Sequence, residues 1–188
     1  RTGIYSLALT LGTLRSTDLN GPSFNLALGF SPLSTRNSGY GTGWSLSTSR
    51  YDLRSKVMTL ASGEIYKASE TLKTLSFKEM KLESAKVLKT GIGRYEIRYK
   101  DGRREELEVF GTTHIAVPMR IIAANGASIA LKYALFNEQP MLVEIRDAKR
   151  TLLNVRRTAG RLTLTRNPDT PDSAEFTMTF KNERVTAI

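Results

Sequence analysis

The sequence lacks cysteine altogether and contains a single histidine, His114. Without thiols there is no disulfide, no thiolate metal site and no cysteine nucleophile. One histidine, with no Asp-rich loop of calcium-binding spacing and no G-x-S-x-G elbow, supplies neither a metal centre nor a serine triad. We interpret His114 as a structural residue. The sequence therefore predicts no metal site, no cofactor and no nucleophile triad.

Paired carboxylates are also scarce. Glu105 and Glu106 are adjacent, and in a strand adjacent side chains point to opposite faces of the sheet. Glu106 and Glu108 share a face that alternates with apolar residues, which is typical of a solvated side. Nothing in this pattern favours the acid and base pair of a glycosidase. We expect a chain that is not an enzyme and has no catalytic residue.

Long apolar runs and dense basic clusters are missing as well. No segment approaches the roughly 18 apolar residues of a membrane-spanning helix. The net charge of +10 favours anionic partners. However, the cations occur singly or in pairs such as Arg103-Arg104, Lys149-Arg150 and Arg156-Arg157, whereas binding by counterion release needs clustered cations. We interpret most of them as solvated strand faces and do not favour nucleic acid as a partner.

Alternating apolar residues predict β-strands along most of the chain. In residues 4–14, Tyr5, Leu7, Leu9 and Leu11 occupy one face, and residues 24–30 form the returning strand after an Asn-Gly-Pro turn. Residues 71–90 partly fit a helical period and partly a strand. We favour the strand because the neighbouring segments are strands. The predicted fold class is all-β and antiparallel.

Hairpins recur through the rest of the chain. Gly63, Gly102 and Gly126 each belong to a two-residue turn between alternating segments, and Asp-Gly and Asn-Gly turns are strong hairpin signals. Two weaker hairpins follow at residues 142–155 and 176–185, and two further strands are predicted at 161–166 and 175–181. The sequence predicts a hairpin-rich antiparallel sheet.

In the stretch Gly39–Asp52, the first part, Gly39–Leu46, has three glycines at alternate positions and the only tryptophan, Trp44. We name it the glycine–tryptophan corner. It lacks the lysine and the following helix of a phosphate-binding loop. We interpret Gly41 and Gly43 as a bend, and Trp44 and Leu46 as residues that fix the next strand in a core. The alternative is that the aromatic residues form a stacking platform for sugars or bases.

Several motifs in order resemble the opening of the bacterial RHS/YD-repeat family, which includes the shell-forming components of insecticidal toxin complexes. They are Leu19-Asn20-Gly21-Pro22, Phe24-x-Leu26-x-Leu28-x-Phe30-Ser31-Pro32, Gly41-x-Gly43-Trp44-Ser45-Leu46, the hairpins at Gly63, Gly102 and Gly126 with Tyr133, and Leu142–Asp147. Two departures are Ala134 and Lys149, which stand where the repeat has Asp and Gly. The resemblance covers about residues 4–157.

The resemblance implies a structural segment of a hollow β-shell that encloses a toxin or another polypeptide cargo. The implied partners are the rest of the parent shell, the cargo and toxin-complex subunits. The implied location is bacterial, cytoplasmic before release, and then secreted or toxin-associated. The residues expected to have structural roles are Gly41, Gly43, Trp44, Leu46, Gly63, Gly102, Gly126 and Tyr133.

We expect residues 1–188 to be a single β-rich region of a longer chain, with N-terminal strands and the corner in residues 1–56 and successive hairpins in 57–188. Two other functions stay open at this point. One is a carbohydrate-binding β-sandwich module that presents aromatic side chains. The other is a basic module that binds nucleic acid or an anionic surface.

Overall fold

The computed structural model describes residues 7–77 and 85–188. These residues form β-strands, turns and loops without a helix, and the strands pair with antiparallel neighbours. The predicted all-β, hairpin-rich antiparallel fold is therefore confirmed. The described part of the chain contains no helix with the length and apolarity needed to cross a membrane.

The strands are short and follow one another closely along the chain. They are β1 (Leu7–Arg15), β2 (Ser23–Phe30), β3 (Trp44–Leu46), β4 (Arg50–Asp52), β5 (Val57–Thr59), β6 (Ile65–Glu70), β7 (Leu75–Phe77), β8 (Ala85–Gly91), β9 (Arg94–Tyr99), β10 (Arg104–Val109), β11 (Ile115–Ile122), β12 (Ser128–Phe136), β13 (Gln139–Arg146), β14 (Thr151–Thr158), β15 (Arg161–Arg166), β16 (Ala174–Lys181) and β17 (Arg184–Ala187).

The chain divides into two compact units. Unit 1 contains the described residues up to Arg15, together with Ser23–Ser47 and Lys132–Ile188. Unit 2 contains Ser16–Pro22 and the described part of Thr48–Leu131. The chain passes from one unit to the other within β12. The subdivision into residues 1–56 and 57–188 stays a prediction about modular organisation.

Unit 1 has a three-stranded sheet in the order β1-β2-β3 and a run of strands, β13 to β17, in sequence order. Its buried residues come from the inward positions of both sets, and they include Leu14, Leu26, Leu28, Leu152, Leu153, Leu162, Leu164 and Met178. Leu162 and Leu164 alternate with threonines along β15, as the period of two in a strand predicts for one buried face, whereas the adjacent Leu152 and Leu153 of β14 are both buried.

Strand β1 departs from the alternation read in the sequence. Leu7 is 55% exposed, whereas Leu11 and Leu14 are buried. A β-bulge between Thr10 and Gly12 changes the register against β2. Because a bulge inserts one unpaired residue, it reverses the face that each later side chain occupies. The bulge therefore places Leu14 on the face of Leu7 and Leu9 despite the odd spacing, because these three residues pair with Phe24, Phe30 and Leu28 of β2. Tyr5 lies outside the described residues.

Unit 2 arranges eight of the described strands in the order β8-β9-β10-β11-β4-β5-β6-β7. Its core contains Tyr51, Met58, Leu60, Ala85, Val87, Tyr95, Ile97, Leu107 and Ala116. The strand order is sequential except where β4 lies beside β11. The two terminal strands of this order, β7 and β8, also approach each other, as described below for Lys89 and Thr71.

The predicted hairpin turns are present. Gly63, Gly102 and Gly126 have φ values of +93°, +88° and +88°, in the region that favours glycine. The strand interpretation of residues 71–90 is confirmed in β7 and β8, while residues 78–84 lie outside the described part. The turn between β12 and β13 was not predicted; it uses Asn137 and Glu138 at φ +47° and +60°.

Candidate functional site

The glycine–tryptophan corner lies in unit 1 and is built on backbone that side chains would block. Gly41 and Gly43 have φ of +96° and +86°. A Cβ on Gly41 would lie 2.8 Å from Val185 Cγ2, and one on Gly43 would lie 2.7 Å from a Phe30 ring carbon. Both glycines therefore satisfy two demands at once, a left-handed φ and close approach of the core.

Asn37 holds the first half of the corner. Its Oδ1 accepts hydrogen bonds from the backbone N–H of Gly39 (3.0 Å) and of Gly41 (3.1 Å). Its Nδ2 donates to Glu183 Oε2 at 2.6 Å. The backbone oxygen of Glu183 also accepts from the N–H of Thr42 at 2.8 Å. Glu183, a turn residue of the β16–β17 hairpin, thus contacts the corner through its backbone and Asn37 through its side chain.

Arg157 on β14 is a buried guanidinium beside the same loop, with a side chain only 6% exposed. Its Nε donates to the Gly39 oxygen at 2.7 Å, and its Nη2 donates to Glu183 Oε2 at 2.7 Å. The guanidinium carbon lies 4.9 Å from the Phe136 ring centre and 4.2 Å from that of Phe180. The interpretation of paired cations as solvated is therefore wrong for Arg157, although Arg156 is exposed.

The aromatic side chains of the corner face inward. Tyr40 is 2% exposed and donates its hydroxyl to the Leu142 oxygen at 3.1 Å. Trp44 is 8% exposed, and its ring centre lies 5.2 Å from that of Phe30. Leu46 is half-buried and pairs with Leu28. A sugar-stacking surface requires an exposed aromatic face, which Trp44 does not present.

A second polar arrangement lies in unit 2, and we name it the Glu70 cluster: Tyr51, Lys56, Glu70, Lys89 and Tyr95. Glu70 Oε2 accepts from the Tyr51 hydroxyl (2.8 Å) and from Lys56 Nζ (3.3 Å). Glu70 Oε1 accepts from the Tyr95 hydroxyl (2.6 Å) and from Lys89 Nζ (2.7 Å). The side chains of Glu70 and Lys89 are 6% and 8% exposed. Four donors therefore surround one buried carboxylate.

These contacts determine the ionisation of the cluster. Burial alone would raise the pKa of Glu70, but hydrogen bonds from Lys89, Tyr95, Tyr51 and Lys56 outweigh it and lower the pKa to about 2. Burial, together with the hydrogen bond to Glu70, raises the pKa of Tyr51 and of Tyr95 above the usual range of tyrosine. Glu70 is thus a carboxylate and both tyrosines are neutral donors at physiological pH.

The Glu70 cluster joins strands that the sheet order separates. Lys89 belongs to β8, at one end of the order in unit 2, and its Nζ also donates to the Thr71 oxygen, beyond β6, at 2.9 Å. Tyr51 on β4 and Tyr95 on β9 pack edge to face with ring centres 4.9 Å apart. We name the line where β8 approaches the β6–β7 hairpin the seam. The cluster therefore connects the strands on the two sides of the seam through side-chain contacts.

A smaller network surrounds Glu105, which is 6% exposed. Its Oε2 accepts from Ser49 Oγ at 3.0 Å and from the Tyr99 hydroxyl at 2.5 Å. Glu106 instead has a side chain 40% exposed and lies 3.5 Å from Arg120. The expectation that the two carboxylates point to opposite faces is confirmed, and Glu105 is used in packing.

The other predicted residues occupy ordinary positions in the sheet. A Cβ on Gly63 or Gly126 would have no neighbour within 4 Å, and one on Gly102 would lie 2.9 Å from Ala124 Cβ. Tyr133 is half-buried in β12. His114 is exposed in a loop at φ +58°. Within residues 7–77 and 85–188, no group of three or more histidine, cysteine, aspartate or glutamate side chains is arranged to hold a metal ion.

Sequence reasoning missed Glu70 and Arg157, yet the alternating register contained a signal for both. Tyr66, Ala68 and Glu70 lie at alternate positions of β6, and the first two pack against the core. Likewise Arg157 follows the buried Val155 by two residues on β14. A charged residue at an inward position of an alternating strand indicates a buried ionic contact, because an unpaired buried charge is costly.

Comparisons with known proteins give a fold likeness. No protein-family model matches this chain, and no curated protein sequence matches it. Among solved structures, it is similar to the N-terminal domain of effector protein SpvB from Salmonella typhimurium strain LT2, with a TM-score of 0.53 and 12% identity. The match covers 92% of this chain and 99% of that domain. At this identity the likeness shows the fold.

Proposed function

We propose that this chain is a non-enzymatic structural β-segment of a bacterial, toxin-associated protein, and that it forms part of a shell around a polypeptide cargo. The observation behind this proposal is the fold likeness to an N-terminal domain of a bacterial effector, which extends over 92% of the chain. The order of motifs that resembles the RHS/YD-repeat family supports the same role.

The use of the buried polar groups also supports a structural role. Glu70, Glu105 and Arg157 each have internal partners from other strands or loops. Groups that are paired internally in this way hold strands and loops together, which fits a structural role. The partners implied by this role are further shell strands, the enclosed polypeptide and toxin-complex subunits.

The position of β17 fits the same proposal. Arg184–Ala187 is the last strand in the order of unit 1 and pairs with β16 on one side. Among the described strands none pairs with its other side. An open edge of this kind accepts another strand by backbone hydrogen bonding, as continuation of a shell requires. We also propose that the parent protein is released from the bacterium.

Protease protection of the full gene product tests enclosure. We expect a segment outside residues 1–188 to survive digestion in the wild type and to become sensitive when Gly43→Ala weakens the corner. Gly63→Ala, at an open turn with nothing within 4 Å of the new Cβ, is the matched control and should retain protection. The proposal would be contradicted if, in the wild-type protein, all segments outside residues 1–188 were digested as fast as an unfolded chain.

A further inference from the structure

The loops of unit 2 separate into two ends of the sheet. Neighbouring strands from β8 to β7 in the sheet order are antiparallel, so successive hairpin loops lie at alternate ends. We name one end the basic loop end; it comprises residues 53–56, 71–74, 91–93 and 110–114. The opposite end comprises residues 60–64, 100–103 and 123–127.

The loops of the basic loop end are neighbours in space. The backbone N–H of Leu53 donates to the His114 oxygen at 2.9 Å, and that of Val109 donates to the Gly93 oxygen at 2.9 Å. Lys89 Nζ, three residues before Ile92, donates to the Thr71 oxygen at 2.9 Å. Hydrogen bonds therefore connect these loops into one surface.

Two large aliphatic side chains project from this end. Leu72 is 84% exposed in the β6–β7 loop, and Ile92 is 88% exposed in the β8–β9 loop. Exposure of a large aliphatic side chain to this extent gives no packing benefit within unit 2. Ile92 stands between Gly91 and Gly93, so no neighbouring side chain covers it. Both tips are free to bury their apolar area elsewhere.

The charge of the two ends differs. The basic loop end contains Arg54, Lys56 and Lys73 and no acidic residue. The loops of the opposite end contain two cations, Lys100 and Arg103, and two anions, Glu64 and Asp101. The loop charge is therefore +3 at one end and zero at the other, and the exposed Leu72 and Ile92 belong to loops of the basic end.

The buried Glu70 cluster supports the basic loop end. Glu70 binds Lys56 of one loop and lies directly before Thr71 of another. Lys89 joins Glu70 to the Thr71 oxygen. These contacts hold the loops in place before any partner arrives, which lowers the entropic cost of docking.

We propose that the basic loop end docks on an anionic lipid surface, with Leu72 and Ile92 entering the boundary between headgroups and acyl chains. Arg54 and Lys73 then lie at the level of the anionic headgroups, while Lys56 stays paired with Glu70. An end of the sheet that has both exposed aliphatic side chains and cationic loops matches this combination of layers. Nucleic acid is the less suitable occupant because three cations give weak phosphate binding and the aliphatic tips gain nothing from it. This inference is independent of the shell role.

Vesicle sedimentation of the 188-residue chain tests the proposal. The probes are vesicles of phosphatidylcholine alone and of phosphatidylcholine with phosphatidylserine. We expect binding to the anionic vesicles, a loss of roughly 30-fold or more in the partition coefficient for L72S/I92S, and a loss of roughly 25-fold for R54S/K73S at about fivefold per cation. Circular dichroism establishes that each variant is folded.

Ile65→Ser is the matched control, since Ile65 is 67% exposed at the other end of β6 from Leu72, and we expect it to bind like the wild type. Three results would overturn the proposal. They are no binding to anionic vesicles at low salt, an equal loss for I65S and L72S/I92S, and binding that depends on Arg54 and Lys73 alone and is matched by double-stranded DNA.

Discussion

The glycine–tryptophan corner of unit 1 and the Glu70 cluster of unit 2 both bring together segments that are distant in sequence, by different physical means. At the corner, the absence of side chains at Gly41 and Gly43 lets Phe180 and Phe30 approach the backbone. In the Glu70 cluster, four long side chains converge on one carboxylate. The first depends on shape and the second on ionisation.

The comparison teaches that the two regions should respond to different perturbations. A contact set by van der Waals shape is insensitive to pH, whereas a buried carboxylate loses its ionic partners when it is protonated. The corner also has one ion pair, between Arg157 and Glu183, but the Glu183 side chain is 47% exposed, so solvent screens this pair more than it screens the buried Glu70. Substitutions that change shape should therefore disturb unit 1 most, and changes of pH should disturb unit 2 most.

The largest effect is expected for Gly43→Ala. The new Cβ would lie 2.7 Å from Phe30 and 2.9 Å from the backbone oxygen of Ser31 at a φ of +86°, so strain and overpacking add. We expect a loss of about 4 kcal/mol in the free energy of unfolding, measured by urea denaturation. Gly63→Ala, with a similar φ and open space, should lose about 1 kcal/mol; equal losses would contradict the steric account.

The next effect is expected for Glu70→Gln. This change leaves Lys89 buried beside a neutral amide, and breaking a buried ion pair from one side costs about 3 kcal/mol. Urea denaturation at neutral pH measures the loss. Glu64→Gln is the control, because Glu64 is exposed and its side chain bonds the Tyr66 hydroxyl alone among the described residues. A loss for Glu64→Gln as large as that for Glu70→Gln would remove the special role of the cluster.

The pH dependence of stability is measured on the wild type and on Glu70→Gln. The pKa of Glu70 is about 2 in the folded chain against an ordinary 4.5, so its stabilising contribution is complete above about pH 4.5 and is lost as the pH falls towards 2. The stability difference between the wild type and Glu70→Gln should therefore shrink over this interval. A difference that stays constant from neutral pH to pH 2 would contradict the assignment of a buried carboxylate.

The smallest of the three effects is expected for Arg157→Lys. Lysine keeps the charge but loses the planar contacts with Phe136 and Phe180 and cannot reproduce both hydrogen bonds to Gly39 and Glu183. We expect a loss of about 2 kcal/mol, measured by thermal unfolding. Arg156→Lys, on the exposed neighbour, should change the stability by less than about 0.5 kcal/mol. An equal or larger loss for Arg156→Lys would contradict the link between burial and the stability contribution of these two arginines.

Local chemistry explains which parts of the structure could be predicted. Asp101-Gly102 and Asn125-Gly126 demand positive φ between alternating segments, so their hairpins follow from sequence alone. At the corner, Gly41 and Gly43 precede the buried Trp44 and have φ values in the region that favours glycine. In contrast, the pairing of β4 with β11 joins Tyr51 to Ala116, and no local pattern specifies a contact at that separation.

The convergence on Glu70 could not be predicted for the same reason. Tyr51 and Tyr95 are donors from strands that the sequence separates from Glu70 by 19 and 25 residues, and their meeting depends on strand order. What the sequence contained was the inward register of Glu70 and of Arg157. That signal identifies a buried charge but not its partner.

The seam in unit 2 has a mechanical consequence. Within residues 7–77 and 85–188, no backbone ladder joins β7 to β8, and Lys89 connects β8 to the β6–β7 hairpin through side-chain contacts. Pulling these two edges apart would break few bonds at a time, whereas pulling along the strands would load many backbone hydrogen bonds together. Unit 2 should therefore be stiff along its strands and weak across one line, and under load it would open at the seam before any ladder separates.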